Sequence, residues 1–360
     1  MKNTFKAPLL PLQNGLIDYR QFIDELINAS SKLEVYKEKI KDSKINSSWF
    51  MPTLQTKEAL ASSSLEGTQA TLDGVLTNQA SPNTDDQNLN EVQNYFNTIE
   101  TGGKILIRES FSNEFFYEIH SVLMDGNVRK PDLIGSYRTE QNYIGKNDKT
   151  HAITFVPPAP EDVPALMNNL IDYINNPSDS FQPLIRAAVI HAQFETIHPF
   201  MDGNGRVGRM LIPLFLYASR QIEIPYFFIS EALEHDKLKY YTLLNETRTK
   251  KNWNEWIKFF LATVAKQCEK YIGIINAINV LYEQDLAQAC EMTKNANIVE
   301  VINSLYRHPI TNSKLIAAET DIPMTTVNRY LNLLTEKKIL FSNGKRNRTF
   351  VYADLLNIIR

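Results

Sequence analysis

Twelve residues, from His198 to Arg209, combine the side chains of a general base, a cation ligand and two anion-binding cations. His198 titrates near neutral pH, as a general base must. Asp202 is a carboxylate of the kind that holds Mg²⁺ beside phosphates. Arg206 and Arg209 lie one helical turn apart, so both guanidinium groups can face one phosphate. These residue types in one short stretch predict a site for phosphate-group transfer.

Apolar residues spaced three or four apart flank this stretch and predict a helix on each side, over residues 184–197 and 207–215. The residues between them then form a tight loop that leads into a helix starting near Gly205. Backbone N–H groups at a helix N-terminus attract anions. Gly203 and Gly205 allow the close backbone approach that a Cβ would block. Asn204 tolerates left-handed geometry and carries an amide that could orient a ligand.

The stretch resembles the signature of the Fic family, HPFx(D/E)GNGRxxR, and matches it at all nine fixed positions of the twelve. Members of that family are known as protein adenylyltransferases, which move AMP from ATP onto a hydroxyl side chain of a protein; some members move other phosphate-containing groups. The resemblance implies ATP and Mg²⁺ as cofactors, with His198 as the base and Asp202 as the metal ligand. It implies nucleotide binding by residues of the loop and the following helix: Gly203, Asn204, Gly205, Arg206, Gly208 and Arg209.

A second motif of the family lies upstream, where Ser62, Glu66 and Gly67 fit the pattern (S/T)xxxE(G/N) of its inhibitory helix. On its own this pattern is typical of any helix end with a glycine cap. Together with the signature it implies that Glu66 forms an ion pair with Arg209 and keeps Arg209 from the γ-phosphate. ATP could then still bind, but with its α-phosphate badly oriented for in-line attack.

Residues 135–160 differ from their surroundings, because their pattern predicts a β-hairpin with a polar turn in a helical protein. In the Fic family a similar hairpin, the flap, holds the target segment by strand addition beside the site. The resemblance would bring Ile144 and Gly145 nearest the nucleotide. A surface hairpin without such a role is the alternative.

Tyr240 and Tyr241 resemble the adenine-side wall of the family pocket, although an aromatic pair of this kind is as often part of a core. Some members carry an Asn eight residues past the first Tyr, and this chain has Arg248 there. Among the other histidines, His120 and His191 lie on predicted helices, where structural roles are expected rather than catalytic ones.

Residues 293–360 are predicted to form a separate module of three helices and a β-hairpin, an order that resembles a winged helix-turn-helix. Between residues 311 and 360, eight Lys or Arg stand against four Asp or Glu. DNA binding through residues 311–350 and a contact with protein are both compatible with this module. The residues that would reach DNA are Thr325, Thr326, Asn328 and Arg329 on a helix, and Lys345, Arg346 and Arg348 on the hairpin.

The composition is that of a globular protein of two or three domains: 360 residues, of which 43% are hydrophobic and 22% charged. A net charge of −3 argues against a chain that coats nucleic acid along its length. The two cysteines lack the spacing of a metal site, and a disulfide scaffold is not expected. No apolar run suits a signal peptide or a membrane span, so we expect a cytoplasmic protein without membrane contact.

The sequence therefore predicts a mainly α protein, a Fic-type helical bundle with a β-hairpin flap and a C-terminal winged helix-turn-helix domain. The predicted domains are a helical region with the inhibitory helix (1–105), a Fic catalytic domain (106–285) and the winged helix (293–360). The predicted activity is AMP transfer to a Ser, Thr or Tyr hydroxyl of a target protein under the flap, autoinhibited by Glu66. A homodimer is compatible with this organisation. The alternatives are a winged-helix DNA-binding regulator with a nucleotide-sensing site, an enzyme that removes AMP, and a phosphotransferase.

Overall fold

The computed structural model describes residues 4–82, 86–126, 133–145, 154–343 and 348–360. These residues are mainly helical, which confirms the predicted class. None of the helices in these ranges combines the length and apolarity that crossing a membrane requires. The helices are α1 (Ile23–Lys41), α2 (Ser47–Leu65), α3 (Leu72–Ala80), α4 (Gln87–Leu106), α5 (Asn113–Leu123), α6 (Val163–Asn175), α7 (Pro183–Ile197), α8 (Asn204–Ala218), α9 (Ser230–His235), α10 (Lys237–Thr249), α11 (Trp253–Met292), α12 (Asn297–Arg307), α13 (Ser313–Thr320), α14 (Met324–Glu336) and α15 (Ala353–Ile359). The strands are β1 (Ile310–Thr311), β2 (Phe341–Asn343) and β3 (Thr349–Val351).

The chain divides into two compact units, and the helices α1, α2, α4 and α11 contribute residues to both. The first unit contains the end of α2 and the helices α5 to α10. The second contains the C-terminal helices and the three strands. The first unit comprises residues 1–33, 61–67 and 93–267, and the second comprises residues 34–60, 68–92 and 268–360.

Helices α7 and α8 form the centre of the first unit and contact each other along their length. Every residue of α7 from Leu184 to Ile197 is buried, which is expected of a helix with apolar residues on all sides. Helices α6 and α10 also pack against α7. From α11, the Trp256 indole donates a hydrogen bond of 2.9 Å to the Ala188 carbonyl. The loop between α7 and α8 therefore starts from a rigid, fully enclosed support.

In the second unit, β3 lies between β1 and β2 in an antiparallel sheet, with Ile310 opposite Val351 and Ser342 opposite Phe350. Helices α12, α13 and α14 pack on one another beside it. The buried Asp285 carboxylate accepts hydrogen bonds from the hydroxyls of Tyr306 and Tyr352. Burial raises the pKa of Asp285, and the two hydroxyls partly compensate for its loss of water.

The predicted hairpin is represented by one antiparallel bridge, in which the Ile144 N–H donates to the Phe155 carbonyl (3.0 Å) and the Phe155 N–H donates back (3.2 Å). The polar turn that the sequence predicts, at residues 146–149, lies outside the described residues, as does Ile153. The flap therefore stays a prediction.

Candidate active site

His198 ends helix α7 in the left-handed conformation, with φ of 51° and ψ of 60°. Its backbone N–H still donates to the Phe194 carbonyl at 2.9 Å. Left-handed geometry is uncommon outside glycine and has an energetic cost that the surrounding contacts must offset. Gly203 then adopts φ of 77° as the N-cap of α8, so the chain reverses within five residues.

The amide of Asn204 closes this loop from within. Its Oδ1 accepts from the Phe200 N–H, and its Nδ2 donates to the Phe200 carbonyl, both at 2.8 Å. The Phe200 ring is buried and stacks on His120, with 3.9 Å between ring centroids. Asn204 thus fixes the shape of the loop, and its predicted contact with a phosphate stays a prediction.

Two residues from the segment before the Ile144 bridge hold the loop from outside, and the sequence pattern did not indicate either. The buried Arg138 donates from Nε to the His198 carbonyl (2.9 Å) and from Nη2 to the Ile197 carbonyl (3.4 Å). Asn142 donates from Nδ2 to the carbonyls of His198 (3.3 Å) and Phe200 (2.8 Å). These donors satisfy carbonyls that a helix C-terminus leaves without partners.

His120 is a structural residue, as expected. Its Nδ1 accepts from the Gly135 N–H at 3.0 Å, so Nε2 carries the proton and donates to the Asp202 carbonyl at 3.2 Å. Burial lowers the pKa of His120 to about 4, which keeps the ring neutral in this role.

His191 also supports the site from below. The carbonyl of Gly208 can only accept, so His191 Nδ1 donates to it (2.8 Å) and Nε2 accepts from the Tyr240 hydroxyl (2.9 Å). Burial lowers the pKa of His191 to about 3. Tyr240 is therefore a buried core residue bonded to α7, whereas its neighbour Tyr241 faces a cavity.

Arg209 and Glu66 form the ion pair that the motif implied, with 2.7 Å between Arg209 Nη2 and Glu66 Oε1. Ser62 completes the arrangement, because its Oγ accepts from Arg209 Nε and its carbonyl accepts from Nη2, each at 2.8 Å. Burial alone would raise the pKa of Glu66, but the charge and hydrogen bond of Arg209 outweigh burial and hold it below its ordinary value. Two acceptors on Ser62, in the last turn of α2, and one on Glu66, which follows that helix, thus bind one buried guanidinium.

Two glycines of α8 leave room for carboxylates. A Cβ at Gly205 would lie 2.1 Å from Glu66 Oε1, and a Cβ at Gly208 would lie 2.3 Å from Glu195 Oε1. Both distances are far below van der Waals contact. The first turns of α8 therefore accept one carboxylate from α7 and one from the residue that follows α2.

The end of α2 is itself held by side chains from α9 and α10. The Leu65 carbonyl accepts from Lys237 Nζ (3.0 Å) and from the Tyr241 hydroxyl (3.3 Å). Ser64 Oγ donates to Glu234 Oε1 at 2.5 Å. Beyond Leu65, Gly67 takes a φ of 100°, which ends the helix in a conformation that favours glycine.

These elements enclose a cavity of about 460 Å³, a volume within the range of small-molecule sites. The bridge residues Ile144 and Phe155 form one wall, and α7, α8 and α10 form the others. Among the residues selected from the sequence, those that line it are Glu66, Ile144, Gly145, His198, Gly205, Arg209 and Tyr241. Those that support it from the loop or from within the helices are Asp202, Gly203, Asn204, Arg206, Gly208 and Tyr240.

His198 is neutral in this cavity. Burial and the positive charge of Arg248 lower its pKa to about 3, so the imidazole is free to accept a proton at neutral pH. Arg248 donates from Nε to Thr196 Oγ1 at 3.1 Å, and its guanidinium lies over the Phe155 ring at 4.4 Å. Arg248 therefore connects α10 to the bridge wall, at the position where some Fic proteins have an Asn.

Glu195 is a second titratable group that the sequence analysis did not select. Its Oε2 lies 3.9 Å from His198 Nδ1, and the residue is 6% exposed. Burial raises the pKa of Glu195 to about 7. The spacing of three residues within a helical pattern was the available signal, since such residues share a face.

The Asp202 side chain is 60% exposed at the start of α8, where its Oδ1 accepts from the Gly203 N–H at 2.7 Å. Within the described ranges, no group of three or more His, Cys, Asp or Glu residues forms a complete metal site. A single exposed carboxylate suits Mg²⁺, which commonly takes one or two protein carboxylates and completes its shell with substrate phosphates and water. The donor set therefore fits a metal that arrives with a nucleotide.

Two family models match this chain. One, described as Fic/DOC family, covers residues 110–216, and the other, described as Fic/DOC family N-terminal, covers residues 23–104. Protein adenylyltransferase fic-1 of Caenorhabditis elegans is 33% identical over 112 residues, which are 31% of this chain and 20% of the relative. Protein adenylyltransferase Fic of Nematostella vectensis is 30% identical over 186 residues, 51% of this chain and 39% of the relative. The chain thus spans less than half the length of these curated relatives.

Solved structures show the same fold at low sequence identity. A Fic family protein from Desulfovibrio desulfuricans G20 gives a TM-score of 0.61 at 18% identity and covers 96% of this chain and 98% of that chain. Fic-1 from C. elegans gives 0.54 at 20% identity, over 71% of this chain and 74% of that chain. This chain therefore contains a Fic/DOC family region at residues 110–216, preceded at residues 23–104 by a match to the N-terminal region of that family.

Proposed function

We propose that this protein is an adenylyltransferase that moves AMP from ATP to the hydroxyl of a protein side chain. The observation that carries the proposal is the neutral, partly buried His198 in one cavity with Arg209 and the N-terminus of α8. A base and a helix N-terminus that line one cavity of about 460 Å³ suit attack at a phosphate. The names of the relatives support the same activity.

The reaction we propose is an in-line displacement at the α-phosphorus. His198 takes the proton of the target hydroxyl while the hydroxyl oxygen bonds to phosphorus. The bond between the α-phosphorus and the bridging oxygen breaks, and pyrophosphate leaves toward α8. Arg206 and Arg209 and the backbone near Gly205 would bind the leaving group. Mg²⁺ held at Asp202 would neutralise phosphate charge.

We further propose that the target segment docks along the Ile144–Phe155 bridge. An extended peptide can add to an exposed strand edge through backbone hydrogen bonds, independently of its side chains. Ile144 and Gly145 line the cavity that contains His198, so a peptide along this edge could present a Ser, Thr or Tyr hydroxyl to the base.

Glu66 acts in this proposal as an inhibitor built into the chain. Its carboxylate occupies Arg209, a guanidinium that would otherwise bind the γ-phosphate, and it adds negative charge where a triphosphate must bind. The same position leaves a second candidate activity. Glu66 and His198 line one cavity, so Glu66 could instead orient a water molecule for removal of AMP from a modified protein.

Labelling with ATP carrying isotope at the α- or the γ-phosphate, in Mg²⁺ and cell lysate, separates these activities. We expect protein label from the α-position alone, increased in Glu66→Gly and absent in His198→Ala. His235→Ala is the matched control, since His235 is 71% exposed and lies outside the cavity. Label from the γ-position would identify a phosphotransferase. Release of AMP from labelled protein, without incorporation, would identify AMP removal.

For the second unit we propose a winged helix-turn-helix module formed by α12 to α14 and the strands. An open cavity of about 600 Å³ beside α14 is lined by Thr325, Asn328 and Arg329, three of the four helix positions selected for DNA contact. Arg348 bonds to Asn332 on α14 at 2.5 Å, while Lys345 and Arg346 lie outside the described residues. Binding to a DNA library that weakens steeply with salt, and that Arg329→Ala weakens further, would support DNA as the ligand.

A further inference from the structure

Glu195 and His198 lie one helical turn apart at the end of α7, and both residues line the cavity. Glu195 Oε2 is 3.9 Å from His198 Nδ1. The Glu195 carboxyl fits against α8 because Gly208 has no side chain to displace it. A carboxyl group at this position has no role in the displacement described above.

Each member of this pair has a buried polar atom without a hydrogen-bond partner in the part of the chain that the structure describes. These atoms are His198 Nδ1 and Glu195 Oε1. Unpaired buried polar groups are rare in native proteins, so each one calls for an explanation. The closest approach of the two side chains is the 3.9 Å from His198 Nδ1 to Glu195 Oε2. A side-chain rotation that shortens this separation by about 1 Å gives Nδ1 a normal N–H···O bond.

The orientation of the imidazole follows from the same observation. Since Nδ1 of His198 is buried, Nε2 is the ring nitrogen left for a substrate in the cavity. Nε2 can accept a proton only in the tautomer that has its hydrogen on Nδ1, and that hydrogen needs an acceptor. The backbone carbonyl of Glu195 also lies near the ring. The carboxyl group of the same residue is the second candidate acceptor, with Oε2 3.9 Å from Nδ1.

We propose that the Glu195 carboxylate is the positioning residue for the base, accepting a hydrogen bond from His198 Nδ1–H and directing Nε2 at the target hydroxyl. This inference rests on the proposed function in that His198 is the base. When Nε2 takes the hydroxyl proton, the Nδ1 proton stays in its bond to Glu195, and the carboxylate stabilises the imidazolium that forms. In this role Glu195 acts through His198 and forms no bond with the reacting atoms.

Charged groups from four neighbouring elements act on this pair. Burial raises the pKa of Glu195 most, and the negative charge of Glu66 raises it further. The positive charges of Arg209 and Arg248 lower it, and the resulting pKa is about 7. Arg248 and Arg138 lower the pKa of His198, and Glu66 raises it. Glu195 is therefore ionised above pH 7 and protonated below it. Only the ionised form stabilises imidazolium, so its contribution to transfer increases with pH.

Histidine NMR tests the pairing without any turnover. With ¹⁵N-labelled histidine, and with His198 signals assigned by comparison with His198→Ala, we expect the Nδ1-protonated tautomer and a titration step near pH 7 as Glu195 ionises. In Glu195→Gln that step is lost. Glu246→Gln is the matched control, because Glu246 bonds to Lys250 and Asn252 on the surface and should leave the curve unchanged. Identical curves for the wild type and Glu195→Gln would overturn the proposal, as would an Nε2-protonated tautomer.

The rate of AMP transfer is the second readout. It is measured in the single variant Glu66→Gly and in the double variant that also carries Glu195→Gln, and the ratio is the first rate divided by the second. Across two pH units centred on the Glu195 step, the ionised fraction rises about tenfold, so the ratio of the two rates should rise by up to about tenfold. A purely structural role of Glu195 would give a ratio that does not change with pH, and that result would overturn the proposal.

The two failures can be told apart. If no variant transfers AMP but the NMR step is present and depends on Glu195, the proposed function fails and the pairing stands. If transfer occurs with a pH-independent ratio, the pairing fails and the function stands. Should Glu195→Gln not fold, the wild-type titration decides, and a curve without a step near pH 7 refutes the pairing.

Discussion

Replacing Glu66 by glycine tests the inhibitory contact most directly. The change removes the acceptor that lies 2.7 Å from Arg209 Nη2, while Ser62 continues to bind the same guanidinium through its Oγ and its carbonyl. Glu66 follows the last residue of α2, so glycine there interrupts no helix. Arg209 then becomes available to the γ-phosphate, and the negative charge at the N-terminus of α8 disappears.

The size of the effect follows from the contact. A hydrogen bond between charged groups contributes about 1.5–3 kcal/mol, which corresponds to about 10- to 140-fold in an equilibrium between blocked and open states. The Glu66 side chain is 38% exposed, and solvent screening favours the lower end of that range. We therefore expect Glu66→Gly to transfer AMP about tenfold faster than the wild type.

The assay is incorporation of α-labelled AMP into protein at one ATP concentration, with rates corrected for folded enzyme by thermal melting. Glu66→Gln separates charge from shape, because glutamine can still accept from Arg209 but carries no charge. We expect an increase smaller than that of Glu66→Gly. Arg209→Ala should lower transfer in both backgrounds, since the guanidinium is needed once it is released.

Equal labelling by the wild type and by folded Glu66→Gly would refute this reasoning. It would mean that Arg209 is not the group that limits productive nucleotide binding. If a higher ATP concentration makes the wild type as active as Glu66→Gly, only the proposed misorientation of bound ATP is refuted. The ion pair would then oppose ATP binding rather than misorient the bound triphosphate.

Three further predictions concern contacts around the site. Lys237→Ala removes a donor to the Leu65 carbonyl, and the looser end of α2 should raise AMP transfer by about 2- to 10-fold, less than Glu66→Gly does. Arg138→Ala removes donors to the carbonyls of Ile197 and His198 at the end of α7, and urea denaturation should show a loss of about 2–5 kcal/mol. In the unfolded chain His191 binds a proton below about pH 6.5, but in the folded chain only below about pH 3, so the wild type loses stability as pH falls through that window. His191→Asn should remove about 1.4 kcal/mol per pH unit of that dependence, measured by urea denaturation between pH 6 and pH 4.

The contact between Glu66 and Arg209 could be predicted from the sequence, because each residue lies in a motif with fixed spacing. Arg138 and Asn142 could not. Each is a single polar residue whose partners lie about 60 positions away, and their function is to satisfy carbonyls that exist only after α7 has ended at His198. Polar contacts of this kind leave no periodic pattern in a sequence.

Helix boundaries also differ in whether they could be predicted from the sequence. The sequence pattern predicts a helix over residues 113–123, and α5 has that range, because Ser112 caps it by accepting a hydrogen bond from the Phe115 N–H. The sequence pattern predicts a helix over residues 56–64, but α2 begins earlier, at Ser47. Asn46 accepts from the Ser48 N–H as a capping residue would, but Pro52 in the second turn obscured the pattern.

Helix α3 was not predicted, although Thr71 caps it through the Gly74 N–H. The sequence pattern predicts a helix over residues 253–264, but α11 continues well past it, to Met292. Its second half packs in the other unit, so the apolar face that it presents there belongs to a different core. A helix shared between two units cannot be bounded from one apolar stripe.

Because the signature loop depends on Arg138 and Asn142, the loop alone is not sufficient to transfer this site to another protein. A design that grafts residues 198–209 between two helices of another scaffold would carry over the base, the carboxylate and the arginines. It would leave the carbonyl of His198 without its donors on Arg138 and Asn142, and the left-handed turn at His198 without the contacts that offset its strain. The smallest transferable unit is therefore a pair of chain segments, one of twelve residues and one containing residues 138–142.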